Sequence, residues 1–350
     1  MKALSLFSSA GIGEYYLKDI GIEVVMANEL LKKRADVYKY LYPDVKMLCG
    51  DIKDVNIKKK MENICETNNI ELLLATPPCQ GMSIAGKNKN EYELGNDERN
   101  YLVFEIMELI KKYKFNYILI ENVPRFLKML YFYENESMTI IDILKKEFSD
   151  EYIVRSDIFD SSKYGVAQKR KRAIIRMYKK KLKWDNPLTE KEVTVFEAIG
   201  HLPSLESGEK SNIKYHYARK HCSKHIRWMQ STPTGCTAFD NKINYPVKKD
   251  GTRIKGFKTC YKRINWDKPA PTITIRSDAI SSQNNVHPGH KKDDGTWSDA
   301  RVLTLKEIFL LSSLPDSFNL PDYLTDNEIR QLIGESIPPK LLKKIMEGVR

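Results

Sequence analysis

The stretch ALSLFSSAGIG, residues 3 to 13, runs an apolar strand-like segment into a loop that carries two glycines. A buried strand that turns through such a loop into a helix opens a parallel α/β unit, and glycine there lets the backbone approach a ligand closely. The same rhythm recurs downstream. EVVMAN (23 to 28), ELLLAT (71 to 76), YILIEN (117 to 122), EYIVRSDIF (151 to 159) and RAIIRMY (172 to 178) read as strands. YYLKDI (15 to 20), LLKKRADVYKYLY (30 to 42) and YLVFEIMELIKKY (101 to 113) have the apolar spacing of helices between them. An open, doubly wound α/β domain is the expectation.

After Trp184-Asp185-Asn186-Pro187 the alternation stops, and up to about residue 276 the sequence is polar, basic and aromatic with Gly and Pro punctuation. A second, smaller domain of mostly β or irregular structure is expected there. The boundaries are drawn at 1–186 for the first domain, completed by 326–350, at 187–276 for the second, and at 277–325 for a hinge and connecting helix. LTLKEIFLLSSL (303 to 314) reads as that helix, and Pro338-Pro339 opens a C-terminal one.

The 350 residues carry a net charge of +12. A surplus of Lys and Arg attracts polyanions, so nucleic acid is the first suspect, although runs such as Lys58-Lys59-Lys60 also suit exposed helices. No run approaches the ~18 apolar residues of a membrane span, and MKALSLF enters a strand with no signal-peptide core, so a soluble, cytoplasmic protein with no membrane partner is expected. The six cysteines are scattered without a Cys-x-x-Cys pair, which suits reduced thiols.

Chemistry in a doubly wound sheet gathers outside the carboxyl ends of the strands. The Phe7 to Gly13 loop, Glu29 at the end of the second strand and Asp51-Ile52 after the next apolar segment form a nucleoside-binding pattern, with Glu29 able to accept from both ribose hydroxyls. Nicotinamide and S-adenosylmethionine cofactors both fit it, and an ordinary tight turn with two surface acids is the bland reading. Cys79 follows the ELLLAT strand within Pro77-Pro78-Cys79-Gln80; a buried structural cysteine is the common alternative, but these neighbours mark a loop. YILIEN brings Glu121 and Asn122 to the same edge. In Gln168-Lys169-Arg170-Lys171-Arg172, alternation throws Gln168, Arg170 and Arg172 to one face.

At these residues the chain resembles the DNA (cytosine-5) methyltransferases, especially the compact bacterial restriction-modification type. Phe7 to Gly13, Glu29, Asp51, Pro78-Cys79-Gln80, Glu121-Asn122-Val123, Gln168-x-Arg170-x-Arg172, a variable region, Arg263 to Arg276 and Gly334-Glu335-Ser336 arrive in family order over nearly the whole length. The resemblance implies a Rossmann-like S-adenosylmethionine-dependent fold, a target-recognition domain over 187–276, and methyl transfer to C5 of a flipped-out cytosine in duplex DNA. It implies Cys79, Glu121, Arg170 and Arg172 as catalytic residues. For S-adenosylmethionine it implies Phe7, Ser9, Gly11, Gly13, Glu29, Leu30, Asp51, Ile52, Pro78, Leu102, Glu335 and Ser336. For DNA it implies Gln80, Ser83 and Gln168, to which Arg219, Lys220 and Arg227 are added as basic residues of the variable region. The chain departs from the family at Ser9, where a glycine is usual, at Ala167, where a proline is usual, and at Glu335, where an asparagine is usual.

A monomer is expected, with a separately acting cognate restriction endonuclease as a candidate partner. A transfer-RNA cytosine-5 methyltransferase of the same fold is the nearest rival. His216, His221, Cys222 and His225 invite a zinc reading, but no second pair closes a tetrahedron, and no metal is expected.

Overall fold

The computed structural model describes residues 1–78 and 98–350. The chain divides into two compact units, one built from Met1–Asp160, Lys171–Leu188 and Leu342–Arg350, the other from Ser161–Arg170 and Thr189–Leu341.

The first unit is organised by strands β1 (Lys2–Leu6), β2 (Glu23–Glu29), β3 (Lys46–Cys49), β4 (Ile70–Ala75), β5 (Tyr117–Asn122), β8 (Tyr152–Asp160) and β9 (Lys171–Lys179), with a small hairpin of β6 (Leu130–Tyr133) and β7 (Glu136–Thr139). The seven-stranded sheet has the order β3-β2-β1-β4-β5-β9-β8. The five strands from β3 to β5 are parallel, and β9 pairs antiparallel with both β5 and β8. Strand order reverses between β1 and β4, so a crevice at their carboxyl ends is where ligands bind in such sheets. β5 is buried along its whole length, which is why it reads as a continuous apolar run until Glu121 and Asn122.

Helices α1 (Lys32–Leu41), α2 (Val55–Thr67), α3 (Leu102–Tyr113) and α4 (Ile140–Phe148) connect the strands. α3 buries Val103, Ile106, Met107 and Ile110, a stripe at three- and four-residue spacing, and ends where Lys114 turns left-handed at φ 50°. Asp54 caps α2 by accepting from the amides of Asn56 and Ile57. The expected helix at residues 15 to 20 is instead a pair of short 3₁₀ turns, Ile12–Glu14 and Lys18–Ile20, because Gly21 adopts φ 74° and ends the segment before a helix can propagate.

The last residues return to this unit. Trp184 donates from Nε1 to the carbonyl of Ile345 at 2.9 Å, and Asp185 N to that of Gly348 at 2.8 Å. A Cβ on Gly348 would lie 2.3 Å from Asp185 O, so this approach requires glycine. Lys343 also meets Asp19, just beyond the loop that follows β1.

The second unit holds α5 (Val195–Ile199), α6 (Ser223–Gln230), α7 (Leu305–Leu311) and α8 (Asp326–Glu335), joined by irregular chain and isolated bridges. Its interior combines an apolar cluster around Trp228, Met229, Tyr261 and Val286 with buried charge. Arg263 donates to the carbonyls of Met229, His287, Ser298 and Asp299, and Arg301 pairs with Asp299 and Glu307. Buried charges persist when paired and fully hydrogen-bonded, and here they anchor segments that no ladder connects.

Candidate active site

The carboxyl ends of the parallel strands are stitched to one another by side chains. Thr76, just past β4, donates from Oγ1 to Phe7 O at 2.9 Å, and its amide donates to Leu6 O. Asn122 donates from Nδ2 to Pro77 O at 3.1 Å, while its Oδ1 accepts from Val123 N. Asn28 bridges the ends of β2 and β3 by donating to Leu48 O and Gly50 O. Thr76 and Asn28 were not foreseen; a polar residue closing an apolar strand was the available signal.

The loop after β1 is backbone-strained in the manner expected of a close-approach site. Phe7, Ser9 and Gly11 adopt φ of 57°, 49° and 70°. Glu29, at the end of β2, accepts from Ser9 N at 3.0 Å through Oε2 and from Leu31 N at 2.8 Å through Oε1. Each carboxylate oxygen has two lone pairs, so these amides fix the carboxylate's orientation without exhausting its capacity for a ribose. Asp51 is exposed and accepts from Lys53 N, Leu30, which follows Glu29, is exposed, and Ile52 is buried in the core. Leu102 opens α3 and is partly buried.

Behind this loop lies a group that the sequence did not disclose. The carboxylate of Glu14 is buried, accepting from Ser5 Oγ and from Tyr38 Oη, each at 2.5 Å. Burial pushes its pKa up to about 7 against the lowering effect of those two hydroxyls. Tyr42, one helical turn beyond Tyr38, donates to Gly11 O at 2.8 Å.

Glu121 and Arg172 meet because β9 begins antiparallel to the end of β5, with Asn122 opposite Ala173. Arg172 Nε lies 2.7 Å from Glu121 Oε1, both side chains being 11% exposed. A nearly buried carboxyl group and a guanidinium on adjacent strands set an acid and a fixed cation side by side at the strand ends. Cys79, Gln80 and Ser83 lie outside the described residues; Pro78, described and partly exposed, leads into them.

The expected alternation holds, since Gln168, Arg170 and Arg172 are buried while Lys169 and Lys171 are exposed. Their destinations differ. Arg170 belongs to the second unit and donates to Ile273 O at 2.8 Å and Gly334 O at 2.7 Å. Gln168 is 1% exposed, its amide accepting from Ile273 N and donating to Ser312 Oγ. Arg219 is likewise committed, to Asp326 and Asn327. Lys220 and Arg227 are exposed. Glu335 and Ser336 end α8 in the second unit, with Ser336 Oγ donating to Leu332 O.

His216 is buried between Thr304 Oγ1 and Pro203 O, His221 Nε2 accepts from Val302 N, and His225 packs against Trp228. Burial, with the nearby His225 and Arg219 adding to it, lowers His221 to about 4.

The sequence pattern of the C-5 cytosine-specific DNA methylases matches residues 1–350. The chain belongs to that family. It is a DNA cytosine-5 methyltransferase, and its seven-stranded sheet is the family's Rossmann-like one. The methylase is 53% identical over 346 residues to the Type II methyltransferase M1.HgaI of Avibacterium volantium, covering 99% of this chain and 97% of that protein. It is 26% identical to the Type II methyltransferase M1.HphI of Haemophilus parahaemolyticus, covering 99% and 86%. Among solved structures it resembles a prophage-encoded E. coli protein assigned as a DNA modification methyltransferase, with a TM-score of 0.72 at 19% identity over 99% of this chain and 98% of that one, a likeness of fold alone. Family and fold together imply the use of S-adenosylmethionine.

Proposed function

We propose that this methylase modifies C5 of a flipped-out cytosine in a specific duplex sequence, as the modification enzyme of a restriction-modification system. The observation that carries the reading is the Glu121–Arg172 pair, set beside a strand end that Asn122 ties to the segment entering Pro78-Cys79-Gln80. S-adenosylmethionine, when bound, supplies an electrophilic methyl group. Phe7, Ser9, Gly11 and Gly13 would shape its bed, Glu29 would accept from the ribose, Asp51 and Ile52 would take the adenine edge, and Leu30, Pro78 and Leu102 would wall it. Glu335 and Ser336 are proposed for the same cofactor on resemblance alone.

Cytosine C5 is a weak nucleophile, so the Cys79 thiolate adds to C6 and leaves electron density at C5 for the methyl group. Glu121 holds a proton at ring N3, limiting the charge that develops as the thiolate adds. Arg172 polarises the carbonyl O2. Arg170 positions the elements around it. Removal of the C5 proton then restores the ring and expels the thiolate. The target atom is out of reach within a duplex, so the base is flipped out, at a cost of a few kcal/mol offset by phosphate and pocket contacts. Gln80 and Ser83 are proposed to contact the DNA around the vacated position.

The transfer-RNA alternative has less support, because the family is that of DNA methylases and both relatives named above are Type II methyltransferases. A cytoplasmic monomer acting apart from its endonuclease is the proposed setting; no helix among the described residues is long and apolar enough to cross a membrane. Bisulfite sequencing of plasmid DNA from expressing cells tests the reading: one methylated sequence context is expected from the parent and none from Cys79→Ser. Methylation by Cys79→Ser within tenfold of the parent would overturn the role of the thiol.

A further inference from the structure

Residues 242–258, KINYPVKKDGTRIKGFK, contain six lysines and arginines and a single acid, Asp250. They fold into a two-stranded ribbon. Val247 bridges Arg253 in antiparallel fashion, Lys248 N donates to Thr252 O at 2.8 Å, and Ile254 N donates to Pro246 O at 2.9 Å. Gly251 takes φ 82° at the tip, where an added Cβ would meet nothing within 4 Å. The turn is therefore open to solvent or to a partner.

The ribbon is apolar where it meets the unit's interior and charged where it meets solvent. Val247 and Ile254 pack inward against the Trp228 and Tyr261 cluster, and Pro246 is buried. Lys248, Lys249 and Arg253 are exposed. The one acid does not neutralise them, since Asp250 Oδ1 accepts from Thr252 N at 2.9 Å and Thr252 Oγ1 at 2.7 Å. Among the described residues no ion pair engages Lys248, Lys249 or Arg253, whereas the neighbouring Lys258 pairs with Asp240. Arg253 is nonetheless held, its guanidinium carbon 3.5 Å from the centroid of the Tyr245 ring. Stacking restrains a side chain with large rotamer entropy and leaves the edge N–H donors of the guanidinium directed outward.

We propose that the ribbon 245–254 reads duplex DNA from the major groove, with the stacked Arg253 as the base-reading side chain and Lys248 and Lys249 on phosphates. This rests on the reading of the chain as a DNA methylase. The occupant follows from charge and shape: a narrow, anchored, uncompensated cationic ribbon suits a groove ~12 Å wide between phosphate rows, and a fixed planar fork suits the O6 and N7 acceptors of guanine. Of the basic residues that composition alone singled out, Arg219 serves less well, because it is committed to α8.

The test uses the full chain and two duplexes, one carrying the sequence mapped by bisulfite sequencing and one scrambled. Arg253→Ala should weaken binding to the mapped duplex by about ten- to a hundredfold and leave the scrambled duplex within twofold, the range expected when a bidentate base contact is lost. Tyr245→Ala should give a smaller loss of the same kind. Lys248→Ala with Lys249→Ala should weaken both duplexes alike and reduce the salt slope by about two. Arg253→Ala with unchanged preference for the mapped duplex, or with equal losses on both, would overturn the inference while leaving the methylase reading intact. A parent that methylates no duplex would overturn both. Arg253 is exposed, and an unchanged thermal melt of its variant excludes misfolding as the cause.

Discussion

The side-chain amide of Asn122 donates to the carbonyl of Pro77 at 3.1 Å, joining the end of β5 to the chain that enters Cys79. One hydrogen bond thus couples the strand bearing Glu121 to the segment that leads into Cys79. Removing a buried amide costs only about 1 kcal/mol of stability, but a nucleophile misplaced by an ångström costs far more in rate. Asn122→Ala should lower kcat on duplex DNA by about ten- to a hundredfold with S-adenosylmethionine affinity unchanged. A kcat within twofold of the parent would show that the segment is positioned by other contacts.

Glu29 is oriented by two amides before any ligand arrives, so its contribution to binding should not require reorganisation. Glu29→Ala should raise the S-adenosylmethionine dissociation constant by about ten- to a hundredfold, as expected for loss of charge-assisted hydrogen bonds. Titration calorimetry checks this, and unchanged affinity would remove Glu29 from the cofactor site.

Ser9 carries a left-handed backbone, φ 49°, at a position where glycine would adopt it without strain. Relief of about 1 to 2 kcal/mol, partly offset by glycine's greater unfolded-state freedom, should make Ser9→Gly more stable by about 0.5 kcal/mol. Gly11→Ala should act oppositely, by about 2 kcal/mol or more, because its Cβ would lie 2.6 Å from the rings of Tyr38 and Tyr42 at φ 70°. Urea midpoints of the two variants, compared with the parent, decide the matter; a shift in the same direction for both would refute the backbone account.

Glu14 makes stability depend on pH. Its folded pKa of about 7 lies above the ordinary value of 4.5, and the groups facing it are Ser5 from β1, Tyr38 from α1 and Tyr42 just past its end, all protonated across this range. The native state therefore retains a proton that the unfolded chain releases. The resulting stabilisation, about 3 kcal/mol at most, is complete below pH 4.5 and is lost as pH rises through 7. Glu14→Gln mimics the protonated form, so its unfolding free energy should vary less between pH 5 and 8 and exceed the parent's at pH 8. Parallel pH profiles for the two proteins would contradict this.

The parts of the site that were legible in the sequence are those whose cause is local. Parallel strands buried on both faces appear as apolar runs, and Glu29 and Glu121-Asn122 stand out where those runs end. Alternation also placed Gln168, Arg170 and Arg172 inside. What it could not give was their partners, since Ile273, Ser312 and Gly334 lie more than a hundred residues away in the chain. The same limit hid the commitment of Arg219 to α8, while Glu14 was hidden because its two hydroxyl partners, on β1 and α1, meet it only once strand and helix have packed. The 15 to 20 segment failed for a local reason: apolar spacing over six residues does not establish a helix when glycine closes it.

The return of residues 342–350 to the first unit has a consequence for biosynthesis. A ribosome delivers Trp184 long before it delivers Ile345, so the indole waits without its carbonyl acceptor until the final residues emerge. Every residue of the DNA-reading ribbon has by then been translated. Chains arrested before residue 342 should show a solvent-exposed Trp184 in fluorescence quenching, in contrast to the finished protein. The first unit thus completes its packing around Trp184 only after the whole of the second has been translated.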